Sequence, residues 1–254
     1  MDKNSQIITA IILKIEAIKD NDLKVSAYSQ EEGKLTLFMR GALKNNSKLL
    51  GHVQPLSLTT LMLISSKNGQ YIASAKNIEV YLNIRDNFKL LQLAGMSLGL
   101  YVQLIKNNYV EKNLYLLLRD WLELLDKNKL TLSSINLELY GLAFKFKFVS
   151  YLGLFPEIRI CSSCHRHLSQ CQEPFYFNKT QGNFSCSKDK NNHKTSLSLN
   201  SLKLMKFLQL EDFKKIERLL VSEKDVLSLV RLWREYMIYE FRDNLAKDSS
   251  LFDY

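Results

Sequence analysis

The hydrophobic period of this chain changes once, near Asp86, from two residues to the three-and-four spacing of a helix. Period two sends alternate side chains to opposite faces of a strand, and helical spacing gathers apolar residues on one stripe. A chain holding both patterns in separate blocks builds a β-layer first and a helical layer after it. Residues 6–17 form a long run with Ile7, Ile8, Ile11, Ile12 and Ile15. Leu23, Val25 and Ala27 alternate with Lys24, Ser26 and Tyr28, and Leu35, Leu37 and Met39 with Thr36, Phe38 and Arg40. Gln30-Glu31-Glu32-Gly33 connects these two runs tightly. Residues 55–65 and 69–80 read as two more strands, with Asn68-Gly69 as their hairpin signal. Five strands within the first 80 residues, with a longer connection from Gly41 to Pro55, predict a small closed barrel. The OB-fold fits best and an SH3-like barrel second.

After Asp86, Leu90, Leu91, Ala94, Leu98, Tyr101 and Ile105 recur at helical spacing, and Leu114, Leu117, Leu118, Trp121 and Leu125 continue the pattern. A third helix is predicted over 133–151, stopped by Gly153 and Pro156. With only 9 Gly and 3 Pro, long unbroken helices are expected. Residues 158–195 have no period and hold all four cysteines. Helices resume near Leu199. The last begins at Ser222-Glu223-Lys224-Asp225, a capping box with Asp in the Glu position, and its apolar stripe includes Val226, Trp233 and Met237. The fold class is therefore α+β multidomain. An N-terminal OB-fold β-barrel (1–80) is followed by an α-helical domain in two parts (81–157 and 197–254), with a small zinc-ribbon-like insert between them (158–196).

Charge narrows the partners. The net charge is +9 and the pI about 9.2, which suits nucleic acid, an acidic protein tail or an anionic surface. From Gly33 to Ile78 there is no Asp or Glu, yet the stretch holds Lys34, Arg40, Lys44, Lys48, Lys67 and Lys76. No signal peptide is visible, and the uncharged helical run 90–105 is short of the roughly 18–20 residues a membrane span needs. The chain reads as cytoplasmic, and its cysteines as metal-binding rather than disulfide-forming.

Cys161 and Cys164 can grip one metal from a tight knuckle, and Cys186 follows with 21 residues between. The second half of a ribbon here reads Cys186-Ser187-Lys188-Asp189, so Asp189 stands where a fourth cysteine is expected. His193 is the better zinc ligand by chemistry. Cys171, His165 and His167 are further candidates. A redox Cys-x-x-Cys needs a strand before it and a helix starting at the first thiol, and residues 153–160 offer neither. No nucleophile elbow, phosphate loop, dinucleotide fingerprint or His-Glu-x-x-His is present, so binding outranks catalysis. The basic connection from Arg40 through Lys44 to Lys48 suits phosphate contacts. Phe38, on the face of Thr36 and Arg40, suits either base stacking or internal packing.

These residues, taken in order, resemble the RecO family of DNA repair and recombination mediators. The match is carried by Gly33-Lys34-Leu35 with Arg40-Gly41-Ala42, by the segment from Ser47 to Pro55, by Tyr151-Leu152-Gly153-Leu154-Phe155-Pro156, and by the cysteine knuckle directly after it. The resemblance implies an OB-fold, a helical domain and a zinc-ribbon-like insert. It implies a nucleoid-associated protein that binds single- and double-stranded DNA, anneals complementary strands and helps RecA load onto coated single strands. It implies RecR and the acidic C-terminal tail of the single-stranded-DNA-binding protein as partners; Lys145 and Lys147 are candidate rim residues for that tail, and being two apart on a helix they point to different sides, so at most one contributes. Carried over by position, it places Arg40, Lys44 and Lys48 at the DNA, with Lys34 and Phe38 as further candidate contacts. It implies zinc at Cys161, Cys164, Cys186 and His193, with Asp189 as the alternative ligand. The rival readings are an RNA- or ribosome-associated binding protein with the same modules, and a hydrolase with its site in the helices.

Overall fold

A computed structural model describes residues 5–19, 21–44, 47, 49–127, 133–179, 181–187 and 195–241. The chain divides into two compact units, Met1–Leu130 and Thr131–Tyr254. The division falls inside the helical block, so the first helices are built with the strands.

The N-terminal unit opens with strands β1 (Ser5–Lys19), β2 (Asp22–Ser29), β3 (Gly33–Met39), β4 (Ser57–Ser66) and β5 (Gly69–Val80). They close into a barrel in the order β1-β2-β3-β5-β4. The pairs are antiparallel except β3 with β5, and β4 returns to β1. The alternating set Leu23, Val25, Ala27, Leu35, Leu37 and Met39 fills the interior with Ile8, Ala10, Ile12, Leu61 and Leu63. Shifts of register in β1 between Ile12 and Lys14, and in the β4–β5 pair, supply the extra twist that closure needs. The β4–β5 turn is centred on Lys67 and Asn68, one residue before the expected pair, with Gly69 opening β5 opposite Ser66.

Three helices follow: α1 (Leu82–Arg85), α2 (Phe88–Leu104) and α3 (Lys112–Lys127). Helix α2 lies against β1. Ile11 and Leu13 are therefore buried on the outer side of β1 while Ala10 and Ile12 are buried inside, and the isoleucine run does not alternate cleanly. Trp121 is fully buried and donates through Nε1 to Ser97 Oγ at 3.2 Å, joining α3 to α2. The α2–α3 connection is clamped onto the β2–β3 hairpin. Tyr28 Oη donates to the carbonyls of Tyr109 and Glu111 at 3.4 and 3.3 Å. At Gly33, φ is +67°, and a Cβ would lie 2.0 Å from the Tyr109 carbonyl oxygen, so only glycine fits. Lys34 Nζ donates to the Val102 carbonyl and, at 2.7 Å, to that of Ile105.

The C-terminal unit is organised around α4 (Ser134–Tyr151), in which every residue from Leu139 to Val149 is buried. A helix covered on all sides carries no amphipathic stripe. After it come β6 (Glu157–Cys161), β7 (Phe175–Asn178), β8 (Asn183–Ser185) and β9 (Ser196–Leu197), paired in the order β6-β8-β7-β9. Strands of two to five residues are too short to print a period, which is why this segment looked structureless. Helices α5 (Leu199–Leu210), α6 (Phe213–Ile216) and α7 (Glu223–Glu240) complete the unit. Ser222 caps α7 without a side-chain bond. The expected capping box is absent because Asp225 instead accepts the hydroxyls of Ser198 and Ser201, both at 2.6 Å, and ties α7 to the start of α5. No described helix is long and apolar enough to cross a membrane.

Buried lysines occur in both units, and Lys34 and Lys145 have opposite consequences. Lys34 is partnered by two helix-end carbonyls. Lys145 makes no hydrogen bond or ion pair among the described residues, and its ammonium lies 5.8 Å from the centre of the Trp233 ring. Burial brings its pKa down to about 8, with Glu138 opposing and Arg234 adding to the shift. Between that value and 10.5 the unfolded chain holds a proton that the folded chain lacks, so stability rises with pH across this window. Below it the full penalty applies, up to about 3 kcal/mol. Lys145→Met is therefore expected to stabilise the C-terminal unit at pH 7, with the gain vanishing toward pH 10. Lys34→Met should instead cost the N-terminal unit about 2 kcal/mol, since buried carbonyls lose a charged donor. Urea denaturation followed by fluorescence checks both, because Trp121 reports on one unit and Trp233 on the other.

Candidate metal centre and nucleic-acid interface

Three chain segments bring the cysteines together. Cys161 ends β6, and the chain turns at once, with the His165 N–H donating to the Cys161 carbonyl at 3.0 Å. This places Cys164 beside Cys161, with His165 at φ +58° as the chain leaves the turn. A single 3-10 turn, Leu168–Gln170, then folds the chain back to Cys171. Cys186 arrives directly after β8. The four Sγ atoms all lie within 4.8 Å of one another. Cys164 and Cys171 are 3.4 Å apart and Cys164 and Cys186 3.8 Å. A tetrahedron of sulfurs around zinc, with bonds near 2.3 Å, has edges of about 3.8 Å. The cluster therefore has the size of a four-thiolate site, and all four cysteines are free.

The surroundings favour the thiolate at Cys161 and Cys164, whereas burial and the neighbouring thiols raise Cys171, and at Cys186 the neighbouring thiols outweigh the Ser163 hydroxyl and raise it too. Burial raises the Cys161 pKa. Hydrogen bonds from the Ser163 hydroxyl and from backbone N–H groups, that of Cys186 among them at 3.3 Å, outweigh it and bring the value down to about 5. The aromatic core beneath holds the frame: Phe177 packs on Phe184 at 5.1 Å and on Tyr236 of α7 at 5.9 Å. His167 is used locally, its Nδ1 accepting from the Ser169 N–H at 3.2 Å. The expected fourth ligands, His193 and Asp189, lie outside the described residues. Cys171 was one candidate among three in the sequence. Its spacing of seven from Cys164 fits no second knuckle, and only the 3-10 turn brings it in.

On the barrel, the candidate DNA residues divide. Lys34 does not face outward as expected. It is 8% exposed and its ammonium is held by the end of α2. Phe38 is half-buried on the outer face, where β3 pairs with β5, and packs on Tyr71 with centroids 5.8 Å apart. Arg40 is exposed, 4.3 Å above the Tyr71 ring centre. The connection after it is anchored at its start to the β1–β2 turn. The Gly41 N–H donates to Asp22 Oδ1 at 2.8 Å and the Leu43 N–H to the Asn21 carbonyl at 3.2 Å. Lys44 is exposed just beyond these bonds, and Lys48 lies outside the described residues. Tyr71 escaped the sequence reading, although the parallel register that sets it beside Phe38 begins at the Asn68-Gly69 signal.

In the C-terminal unit a cavity of about 430 Å³ opens between α5 and the chain entering α7, lined by Lys203, Leu204, Phe207, Leu219, Val221 and Asp225 among others. Lys145 and Lys147 are not on its lining. Lys147 is 8% exposed and donates to the Gln209 carbonyl at 2.9 Å, at the end of α5. Both lysines are buried.

Sequence comparison covers nearly the whole chain. The family model Recombination protein O N terminal matches residues 4–81, and Recombination protein O C terminal matches residues 87–247. The chain is 25% identical to the DNA repair protein RecO of Alkaliphilus metalliredigens, over 89% of this chain and 90% of that one. It is 27% identical to the protein of the same name from Desulforamulus reducens, over 95% of each. With that from Dehalococcoides mccartyi it shares 26% identity over 88% of this chain and 85% of the other. The match runs through the barrel and both sides of the cysteine cluster, and the chain belongs to the recombination protein O family.

Proposed function

We propose that this protein serves DNA repair and recombination as a mediator rather than a catalyst. It binds single- and double-stranded DNA, anneals complementary strands and helps RecA load onto coated single strands, with RecR as a partner. The single observation that carries the reading is the barrel face around β3. The strand order, with β3 parallel to β5 and β4 closing on β1, supports an OB-fold. Proteins of that fold take oligonucleotides on the face of strands two and three, between the β1–β2 and β4–β5 loops. Arg40 and Lys44 stand at that place, on a connection tied to the β1–β2 turn, and Lys67 occupies the β4–β5 turn. No acidic residue interrupts the stretch from Gly33 to Ile78.

The cysteine cluster holds zinc through Cys161, Cys164, Cys171 and Cys186. The metal pins the short strands to the turn between Cys161 and Cys164, a structural task for a closed four-thiolate site. The cavity beside α5 takes the acidic tail of the single-stranded-DNA-binding protein. Its apolar floor of Leu204 and Phe207 suits a terminal aromatic residue, and Lys203 suits a carboxylate.

Three measurements test these assignments. Elemental analysis should give about one zinc per chain, and Cys171→Ser should lose most of it. Less than a tenth of that metal in protein purified without chelator sinks the zinc reading, while full loading of the Ser variant removes Cys171 from the ligand set. For the barrel, log affinity for single-stranded DNA should fall linearly with log salt, by about 0.7 per phosphate neutralised. Replacing Lys44 and Lys48 with Ala should lower the slope magnitude by roughly 1.4 and weaken all sequences alike. An unchanged slope in the folded variant takes this connection off the DNA path. For the cavity, a peptide copying the acidic tail should bind the protein at low salt and lose roughly tenfold in affinity in Lys203→Glu, as when one charged contact turns repulsive. Equal binding by the variant moves the tail elsewhere.

A further inference from the structure

Phosphate tracking leaves one feature of the barrel unexplained. The acid-free stretch carries six cations, and five are lysines. The sixth is Arg40, and among the described residues of the set it is the cation that meets an aromatic ring. Its guanidinium lies 4.3 Å from the Tyr71 ring centre, and its Nη2 donates to Tyr71 Oη at 2.9 Å. The ring and its hydroxyl together hold the guanidinium in place. The ring is itself supported. Phe38 stands beside it at 5.8 Å and 41°. Phe38 in turn lies over the start of β5, where a Cβ on Gly69 would come within 3.0 and 3.3 Å of its ring carbons at a φ of +124°. Arg40 itself is exposed. The nearby carboxylate of Glu16, on β1, is taken up by Lys14 and Lys24.

We propose that Arg40, Tyr71 and Phe38 form a stacking platform for an unpaired nucleobase, which lies on the outer face of the Arg40 guanidinium while Tyr71 positions that plane. The proposal rests on the barrel being the single-strand-binding element and assigns this part of it a contact with bases rather than phosphates. Guanidinium planes and aromatic rings are the surfaces on which unpaired bases stack. A lysine has no plane to offer, so the arginine cannot be exchanged for it here. Bases inside a duplex have both faces covered by their neighbours, so the platform favours single strands. Lys44 and Lys48 keep the phosphate role.

Two probes of equal length and charge separate the contacts: labelled oligothymidine, and the same backbone built from abasic tetrahydrofuran residues. By fluorescence anisotropy the protein should bind oligothymidine roughly tenfold more tightly, as one stacked base supplies. Arg40→Lys keeps the charge, and Tyr71→Ala does not change it. Both should bring oligothymidine down to the abasic level with the salt slope unaltered, and Tyr71→Phe, which keeps the ring, should retain most of the preference. Equal binding of both probes by the unmodified protein overturns the platform and leaves the DNA-binding reading standing. Binding of neither overturns both. A full preference for bases in Arg40→Lys places the stacking contact elsewhere.

Discussion

The N-terminal unit depends on the charged bond between Lys34 and the end of α2. A helix ends with carbonyls that have no partner within it, carrying partial negative charge. Lys34 brings an ammonium to the carbonyls of Val102 and Ile105 from the β3 strand. The next residue back, Gly33, lets the Tyr109 backbone approach where any side chain would collide. One donor and one missing Cβ therefore lock the helix pair to the barrel. This is why α1 to α3 belong to the same compact unit as the strands although the sequence pattern changes between them.

The lock also sorts the cations. A lysine whose ammonium is held in a protein interior cannot answer to phosphate, so the field of the barrel comes from the residues beyond it. Arg40 is fixed by an aromatic ring and Lys44 stands free on an anchored turn. Arrangement matters more than total charge: a guanidinium held by a ring and its hydroxyl and an exposed ammonium offer a ligand different surfaces.

The C-terminal unit uses a different device. Its central helix is buried along its length, and the small sheet that follows is rooted in it through Phe177 and Tyr236. The four thiols converge from a strand end, a turn, a 3-10 helix and a second strand end. None of these pieces is stable alone, since strands this short make few bonds. A metal held by the four thiols would supply the closure that the sheet lacks.

The sequence by itself determined the elements. Period two and helical spacing located all five barrel strands and the long helices within a few residues, because each pattern records which face of a single element is buried. Gly153 and Pro156 marked the end of α4 for a purely local reason, the conformations those residues permit. The tertiary structure alone decided what depends on a partner distant in the chain. Cys171 became a member of the cluster, Lys34 and Lys147 became helix-end caps, Asp225 left its helix terminus for two serines of α5, and Tyr71 came beside Phe38. The physical reason is the same in each case. A polar or ionisable side chain takes its role from whatever the folded backbone places within about 3 Å of it, and a linear pattern of apolar residues holds no record of that neighbour.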